Sequence, residues 1–184
     1  MNYKNLRIPL LGSYQLENAA IALTAIEVLK QKGYGIEEKH IYEGLSKAGW
    51  MGRFELLSKE PVVIVDGSHN PPGIKATAES LNTHFPEQKI IFIIGVMADK
   101  ELDKMMKYIL PLAKEFLTVT PDNPRAMKAE ALAEYLRSKN ASAESFATVE
   151  EACKEAVKRA GKSGIICALG SLYLVDEVEK GLQK

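Results

Sequence analysis

The apolar residues of the first fifty positions follow the period of a helix. Residues 13–32 place apolar side chains three and four positions apart, as in a helix with one buried face, at Leu16, Ala19, Ala20, Leu23 and Ile26. Ser13 fits the N-cap of this helix, and Gly33 fits the position just after its end. A shorter helix is predicted over residues 36–48. The pair offers too little apolar surface for its own core, so we expect it to pack on the rest of the chain or on something that this chain lacks.

From residue 54 onward, β-branched runs alternate with helical patterns. Two adjacent short strands are predicted over 54–58 and 62–66. Later strands are predicted over 89–97, 115–121, 142–149 (a short edge strand) and 164–173, with helices over 72–83, 101–114, 128–139, 150–161 and 172–181. Strands separated by helices of about a dozen residues form βαβ crossovers. We therefore predict an α/β fold: a three-layer, Rossmann-like domain over residues 49–184, with a mostly parallel sheet and helices on both faces, preceded by the helical pair of residues 1–48.

Composition narrows the class of protein. The 184 residues are 46% hydrophobic and 26% charged, with 24 basic and 24 acidic side chains, so we expect a globular protein that does not bind nucleic acid. No apolar run approaches the roughly 18 residues of a membrane span, and the N-terminus is too polar for a secretory signal. These features predict a soluble, cytoplasmic protein without a membrane partner. Cys153 and Cys167 are predicted as buried, reduced thiols.

The segment VDGSHNPPG, residues 65–73, concentrates polar chemistry at the end of a buried strand. The carboxyl ends of parallel strands are where open α/β sheets bind ligands. The Asp66 carboxylate could accept a hydrogen bond from a ribose, and His69 would lie beside an anion held at the start of the next helix. Local turn and capping bonds explain Asp66, Ser68 and Asn70 equally well.

Two further groups of polar residues precede this segment. In YQLEN, the side chains of Tyr14, Gln15 and Asn18 share one patch on the first helix turn and could contact a base, although a solvated helix start is the more common explanation. Arg53 in WMGRFE either pairs with a surface carboxylate or binds a phosphate.

Later strands also end in polar residues. Asp99 and Lys100 follow one strand, Asp122 and Arg125 the next, and Ser171 follows the last. Each alone suggests helix capping or a surface ion pair, but all belong to one edge of the predicted sheet. No G-x-x-x-x-G-K-[ST] or G-x-S-x-G motif occurs, and no G-x-G-x-x-G follows a strand. The three histidines are widely spread, so no metal site is predicted in this chain.

Taken in order, LLGSYQLENAAIAL, WMGRFE, VDGSHNPPG, GVMADKE, PDNPRA and LGSLYLV resemble the C-terminal part of folylpolyglutamate synthase/dihydrofolate synthase, within the wider Mur ligase family. The resemblance runs through nearly the whole chain. DGSHNP preceded by GRFE is specific to the family, and GSLY near the C-terminus favours its folate branch over its cell-wall branch.

The resemblance implies a monomeric ATP-dependent ligase in which ATP lies between a P-loop ATPase domain and a Rossmann-like domain. ATP would phosphorylate the γ-carboxylate of a folate's glutamate or the carboxylate of dihydropteroate, and the amine of L-glutamate would attack the acyl phosphate. Mg²⁺ would be bound mostly by the P-loop domain, which this chain lacks. Residues 1–48 would form the end of that domain plus a linker, and the chain alone would be inactive.

The resemblance also implies roles for single residues. Gln15 and Asn18 would contact ATP on its adenine side, Arg53 would contact phosphate, and Asp66 would contact ribose, phosphate or glutamate. His69 would lie near the transferring phosphoryl group or the incoming glutamate, and Ser171 would bind glutamate. Tyr14 departs from the family, which often has His at this position, but its ring can still pack on adenine.

Three other functions remain open, one of them a purely structural or regulatory domain that binds no nucleotide. A stand-alone module that binds nucleotides or other phosphorylated small molecules would use the same strand ends. A Mur-type peptide ligase would act on a cell-wall precursor instead of folate.

Overall fold

The computed structural model describes residues 3–182, and the chain divides into two compact units between Trp50 and Met51. The first unit contains α1 (Gln15–Gln31) and α2 (Glu38–Ser46). α1 begins later than predicted, because the N-cap position is occupied by Tyr14 and not by Ser13. Gly33 follows the helix as predicted, with a positive φ of 89° that favours glycine.

The predicted buried face of α1 is only partly covered within this chain. Ala19, Leu23 and Ile26 are half-buried, whereas Leu16 is 69% exposed. Ile21 and Val28, outside that face, are exposed as well. Gln15 is the one buried side chain among the described residues of this helix. Leu16 is therefore not buried within this chain, contrary to its predicted place on that face, because the unit has too few partners to cover a helix that is apolar on several sides.

The second unit is an α/β domain with six strands. The strands are β1 (Glu55–Lys59), β2 (Val62–Val65), β3 (Ile90–Ile94), β4 (Ala113–Thr118), β5 (Ala143–Ser145) and β6 (Ile165–Leu169). The helices are α3 (Pro71–His84), α4 (Leu102–Ile109) with a 3-10 turn at Leu110–Leu112, α5 (Ala129–Ser138), α6 (Val149–Ala160) and α7 (Leu172–Leu182). The sheet order is β1-β2-β6-β3-β4-β5, and β1 alone among these strands is antiparallel to its neighbour.

The core fills both faces of the sheet. Every residue of β3 and β6 is buried, as expected for central parallel strands covered by helices. On one face, Phe92 stacks on Phe116 at 5.4 Å between ring centroids, beneath α3, α4 and α5. On the other face, Ile93 and Leu117 pack with α6 and α7. The predicted fold class, a three-layer and mostly parallel α/β sheet, is confirmed.

The order of the strands creates a crevice. The chain passes from β2 through α3 to β3, and later returns through α6 to place β6 between those two strands. The helix after β6 packs on the opposite face from the helices after β2 and β3. Such a reversal opens a gap at the carboxyl ends of the strands, where α/β sheets bind their ligands.

Within the described residues, no helix has the length and apolar character needed to cross a membrane.

Candidate functional site

The turn after β2 is built from backbone contacts and a helix cap. Asn70 is the N-cap of α3, and its Oδ1 accepts a hydrogen bond from the Gly73 N–H at 2.8 Å. Pro71 and Pro72 occupy the first turn of the helix, where a missing N–H costs nothing. Gly67 lies so close to α7 that an added Cβ would be 2.2 Å from Leu172 Cδ2. The sequence of this turn is therefore restricted by packing as well as by chemistry.

Asp66 is 2% exposed, and both of its carboxylate oxygens accept backbone hydrogen bonds. Oδ1 accepts from the Ser68 N–H at 2.8 Å, and Oδ2 accepts from the Phe54 N–H at 2.9 Å. The Gly67 N–H also donates to the Gly52 carbonyl at 2.7 Å. The segments WMGRFE and VDGSHNPPG are thus physically joined.

Arg53 lies inside this junction, between two residues with positive φ, Gly52 at 66° and Phe54 at 50°. Its side chain is half-buried. Among residues 3–182, no carboxylate pairs with its guanidinium. A permanently charged fork without a partner suits a phosphate or carboxylate oxygen.

The ring of His69 is held by the same turn. Its Nδ1 lies 2.9 Å from the Gly67 carbonyl oxygen. A carbonyl oxygen only accepts, so Nδ1 carries the hydrogen, and Nε2 has a free lone pair when the ring is neutral. His69 is half-buried, so its Nε2 can be reached by a ligand.

A cavity of about 210 Å³ opens at the crevice. Lys100 after β3 and Arg125 after β4 join His69 there, and Ser171 lies just before α7. The Ser171 Oγ accepts a hydrogen bond from the Tyr173 N–H at 3.2 Å, which leaves the hydroxyl hydrogen available to a ligand. The full lining is His69, Met97, Lys100, Arg125, Gly170, Ser171, Leu172 and Tyr173.

The chemistry of this cavity is cationic. Lys100, Arg125 and a histidine surround it, and Arg125 faces the nearest carboxylate, Asp99, at 3.9 Å with both side chains exposed. A small molecule with two carboxylates, such as an amino dicarboxylate, matches this set of charges. A larger cavity, of about 430 Å³, lies beside β1 and α7, but its charged residues are Glu55, Glu60 and Glu179, which would repel such a ligand.

The sequence pattern located part of this cavity and missed part of it. It placed His69 and Ser171 at one sheet edge, and it noted Lys100 and Arg125 without assigning them to the site. Their positions after parallel strands were the available signal. Asp122 does not line the cavity, and its N–H donates to Glu177 at 3.2 Å.

Gln15 and Asn18 belong to the first unit. Asn18 Nδ2 donates to Gln15 Oε1 at 2.9 Å, so the two carboxamides do share one patch at the start of α1. Gln15 is buried and Asn18 is exposed. Of the pair, Asn18 is the accessible one.

No three His, Cys, Asp or Glu side chains among residues 3–182 are placed to hold a metal ion.

Known proteins resemble the chain along most of its length. Dihydrofolate synthase/folylpolyglutamate synthase of Bacillus subtilis is 30% identical over 182 residues, which cover 98% of this chain and 42% of that protein. The structure of Escherichia coli FolC in complex with DHPP and ADP superposes with a TM-score of 0.85 at 26% identity, covering 98% of this chain and 41% of that one. A bifunctional folylpolyglutamate synthase/dihydrofolate synthase with Mn, AMPPNP and L-glutamate bound superposes with a TM-score of 0.82 at 27% identity, covering 99% and 42%. The chain thus spans less than half the length of these relatives.

The resemblance to the C-terminal part of folylpolyglutamate synthases is thereby confirmed in sequence and in structure. Residues 52–172, which contain Arg53, Asp66, His69 and Ser171, match the family model described as Mur ligase, glutamate ligase domain. The chain belongs to the Mur ligase family and carries its glutamate ligase domain.

Proposed function

We propose that this chain is the C-terminal part of an ATP-dependent ligase that adds L-glutamate to folates, and to dihydropteroate where the enzyme is bifunctional. The observation that carries the proposal is the cationic cavity formed by His69, Lys100, Arg125 and Ser171 at the strand ends. Relatives solved with ADP, AMPPNP, Mn and L-glutamate support the choice of reactants.

In this proposal the cavity binds the incoming glutamate. Lys100 and Arg125 pair with its two carboxylates, and the Ser171 hydroxyl donates a hydrogen bond to one of them. His69 Nε2 lies at the same wall and receives a proton from the amine, so that the amine can attack. These contacts orient the nucleophile, which is the main contribution that a domain of this kind makes to rate.

Arg53 acts on the other reactant. ATP phosphorylates the folate carboxylate, the glutamate amine attacks the acyl carbon, and the carbon–oxygen bond to phosphate breaks as the amide forms. The guanidinium of Arg53 neutralises charge on the phosphoryl group before and during its departure. Gln15 and Asn18 contact the adenine side of ATP from the first unit, and Asp66 supports the phosphate side.

The reaction needs a P-loop ATPase domain as the partner of this chain. The sequence has no phosphate-binding P-loop, and the relatives are more than twice as long. The exposed apolar side chains of α1, including Leu16 and Ile21, provide a surface for that domain. The described residues offer no cluster of metal ligands, and we assign the Mg²⁺ site to the ATPase domain. The complete enzyme is proposed to be a cytoplasmic monomer.

The test is a titration of the ¹⁵N-labelled chain with L-glutamate and with Mg-ATP. We expect L-glutamate to shift the amides of His69, Lys100 and Ser171 with a dissociation constant near millimolar, about −4 kcal/mol, because only half of the site is present. Arg125→Ala should weaken this binding several-fold. Lys75→Ala, on the exposed side of α3, is the matched control and should leave it unchanged.

Each other result has a definite meaning. No shift with L-glutamate at tens of millimolar would overturn the assignment of the cavity. Micromolar binding of nucleotide by the chain alone would favour a free-standing nucleotide module instead. Detectable glutamate ligation by the isolated chain would contradict the need for the ATPase domain.

A further inference from the structure

We propose that Glu55 is a positioning residue, whose carboxylate holds the backbone of Gly52 and so fixes the start of the turn that presents Arg53. The inference rests on the proposed function, in which Arg53 acts on the phosphoryl group. Glu55 is the last residue of the segment WMGRFE, and the sequence pattern assigned it no role.

A hydrogen bond joins the two ends of the four-residue turn from Gly52 to Glu55. The Gly52 N–H donates to Glu55 Oε2 at 2.8 Å. Gly52 is buried, and within the described residues this carboxylate is the acceptor that its N–H has. A buried N–H without an acceptor is costly, and a bond to an ionised carboxylate is stronger than one between neutral groups. The side chain of Glu55 therefore closes the turn across Arg53.

The other polar group of Gly52 is held by backbone alone. Its carbonyl accepts the Gly67 N–H at 2.7 Å. Its φ of 66° favours glycine, and a Cβ at this position would lie 2.9 Å from Cγ2 of Val175 on α7. Substitution of a side chain leaves the bond to Gly67 in place. Glu55 thus supplies the restraint on Gly52 that depends on the type of side chain.

Glu55 is itself anchored on the sheet. It is the first residue of β1, and its partner in the antiparallel pair is Val65, the buried last residue of β2. A side chain that starts from a paired strand has a fixed origin, so it holds a neighbouring loop more precisely than a loop residue would. Through Glu55, the turn that carries Arg53 is tied to the sheet beside the crevice.

The same bond keeps the charge of Arg53 available. Glu55 is the nearest acidic residue to Arg53 along the chain, yet its carboxylate bonds to Gly52, and no carboxylate of residues 3–182 pairs with the guanidinium. An ion pair between the two side chains would compete with a phosphate for the guanidinium. The charge of Glu55 alone would repel ATP, so a positioning role predicts the opposite effect of its removal from a purely electrostatic one.

Glu179 of α7 offers a matched control for that charge. It lines the same cavity as Glu55, and its pKa is raised by burial first and by the charge of Glu55 next, which places the two carboxylates near each other. Among the described residues, no hydrogen bond links Glu179 to the Arg53 turn. Glu179→Gln therefore removes a neighbouring negative charge and leaves the bond to Gly52 in place.

The first experiment measures the restraint without any ligand. In the 184-residue chain, Glu55→Ala should speed exchange of the Gly52 amide hydrogen about tenfold or more, because a charge-assisted bond is lost. The backbone order parameter of Arg53 should fall below the value of about 0.85 typical of rigid backbone. Glu55→Gln keeps a carbonyl acceptor and should restore most of both values, while Glu179→Gln should change neither. A Gly52 amide as protected, and an Arg53 as ordered, in Glu55→Ala as in the unmodified chain would overturn the proposal.

The second experiment tests whether Glu55 acts through Arg53. The unmodified chain, Glu55→Ala, Arg53→Ala and the double variant are titrated with Mg-ATP, followed by amide shifts. We expect Glu55→Ala to weaken binding several-fold by itself and to add nothing in the Arg53→Ala background. Glu179→Gln should not weaken binding.

The remaining outcomes separate the positioning role from the proposed function. Unchanged or tighter binding in Glu55→Ala would mean that Glu55 acts only as a charge, and an equal loss in both backgrounds would mean that it acts by a route other than Arg53. Either result would overturn the positioning role. If the unmodified chain shows no response to Mg-ATP, the proposed function fails, and the exchange rate of Gly52 and the order parameter of Arg53 decide the role of Glu55.

Discussion

Two glycines decide how closely the loops of the site can approach each other. A Cβ on Gly67 would be 2.2 Å from Cδ2 of Leu172, which is 48% exposed and can rotate away. A Cβ on Gly170 would be 2.5 Å from the Gly95 backbone oxygen, and its φ is 108°. The first conflict involves a movable side chain, whereas the second involves fixed backbone and a conformation that favours glycine.

Gly67→Ala and Gly170→Ala should therefore differ in whether a second substitution can restore the lost stability. We expect Gly67→Ala to lower the free energy of unfolding by about 1–3 kcal/mol, and Leu172→Ala to restore most of it. Gly170→Ala should cost about 3 kcal/mol or more and should not be rescued by Leu172→Ala. Urea unfolding followed by circular dichroism measures both, with Leu172→Ala alone as the reference. An equal cost of Gly67→Ala with and without Leu172 would show that the contact is not the cause.

The two cysteines should be protected from reagents at neutral pH. Burial, with a smaller effect from Glu150, raises the pKa of Cys153 to about 12, and burial also raises the pKa of Cys167. Because the thiolate is the reactive form, we expect negligible labelling by a disulfide reagent at pH 8 in the native chain and labelling of both thiols in urea. Rapid native labelling of either thiol would contradict its burial.

The raised pKa of Cys153 also determines in which direction the stability of the fold changes with pH. Unfolded thiols lose their protons near pH 8.5, while the folded Cys153 keeps its proton up to about pH 12. The unfolded state therefore binds fewer protons over this interval. The contribution of Cys153 to stability is complete below pH 8.5 and declines as the pH rises toward 12.

The sequence predicted which residues meet at the sheet edge, but it did not predict the bonds of Asp66. His69, Lys100 and Ser171 each follow a parallel strand, and that periodic signal is visible along the chain. The bond between Asp66 and Phe54 spans twelve positions and depends on a positive φ at a phenylalanine. No local sequence pattern predicts a positive φ at a phenylalanine.

At the scale of elements, the order of strands and helices was predictable and several ends were not. The strand predicted over 89–97 ends at Ile94, because the chain turns at Gly95 against Pro121. The helix predicted over 101–114 ends at Ile109 and continues as a 3-10 turn that contains Pro111, which lacks an N–H for the helix ladder. Leu16 of α1 was wrongly predicted to be buried, because periodicity reports apolar character and not the partner that covers it.

Arg159 connects three elements at one edge of the sheet. From α6, its guanidinium pairs with Glu115 of β4 at 2.6 Å, with Glu144 of β5 at 2.5 Å and with Glu155 of its own helix at 2.8 Å. Glu144 and Glu155 are the main cause of the raised pKa of this arginine. β5 is only three residues long, so this network is a principal side-chain tie between the edge strand and α6.

Arg159→Ala should lower the free energy of unfolding by about 1–3 kcal/mol, because it leaves the mostly buried Glu115 unpaired. Amide exchange in β5 should accelerate before that in β3. Lys180→Ala, which removes an exposed pair with Asp176 on α7, is the control and should cause no measurable change. Equal effects of the two substitutions would show that the network is only a surface feature.

At the scale of the whole molecule, the two units differ in how many buried apolar residues each contains. Both clusters of buried apolar residues consist of residues between Phe54 and Leu182. The first unit buries Ile41, while Leu16, Ile21 and Val28 remain exposed. A domain with its own core can fold alone, whereas a helical pair with an uncovered face depends on another surface.

Residues 51–184 should therefore fold without the first unit. We expect this shortened chain to unfold cooperatively in urea, and its amide spectrum to overlay that of the full chain for the buried residues of β3 and β6. Trp50 is lost with the first unit, so circular dichroism is the suitable signal. If Arg53 and His69 are held by bonds inside the second unit, their amides should overlay as well, since Gly52, Phe54, Asp66 and Gly67 all remain. A loss of cooperativity, or displaced signals at Arg53 alone, would mean that the helical pair helps to form the site, and that the ligase half needs its N-terminal neighbour for structure as well as for chemistry.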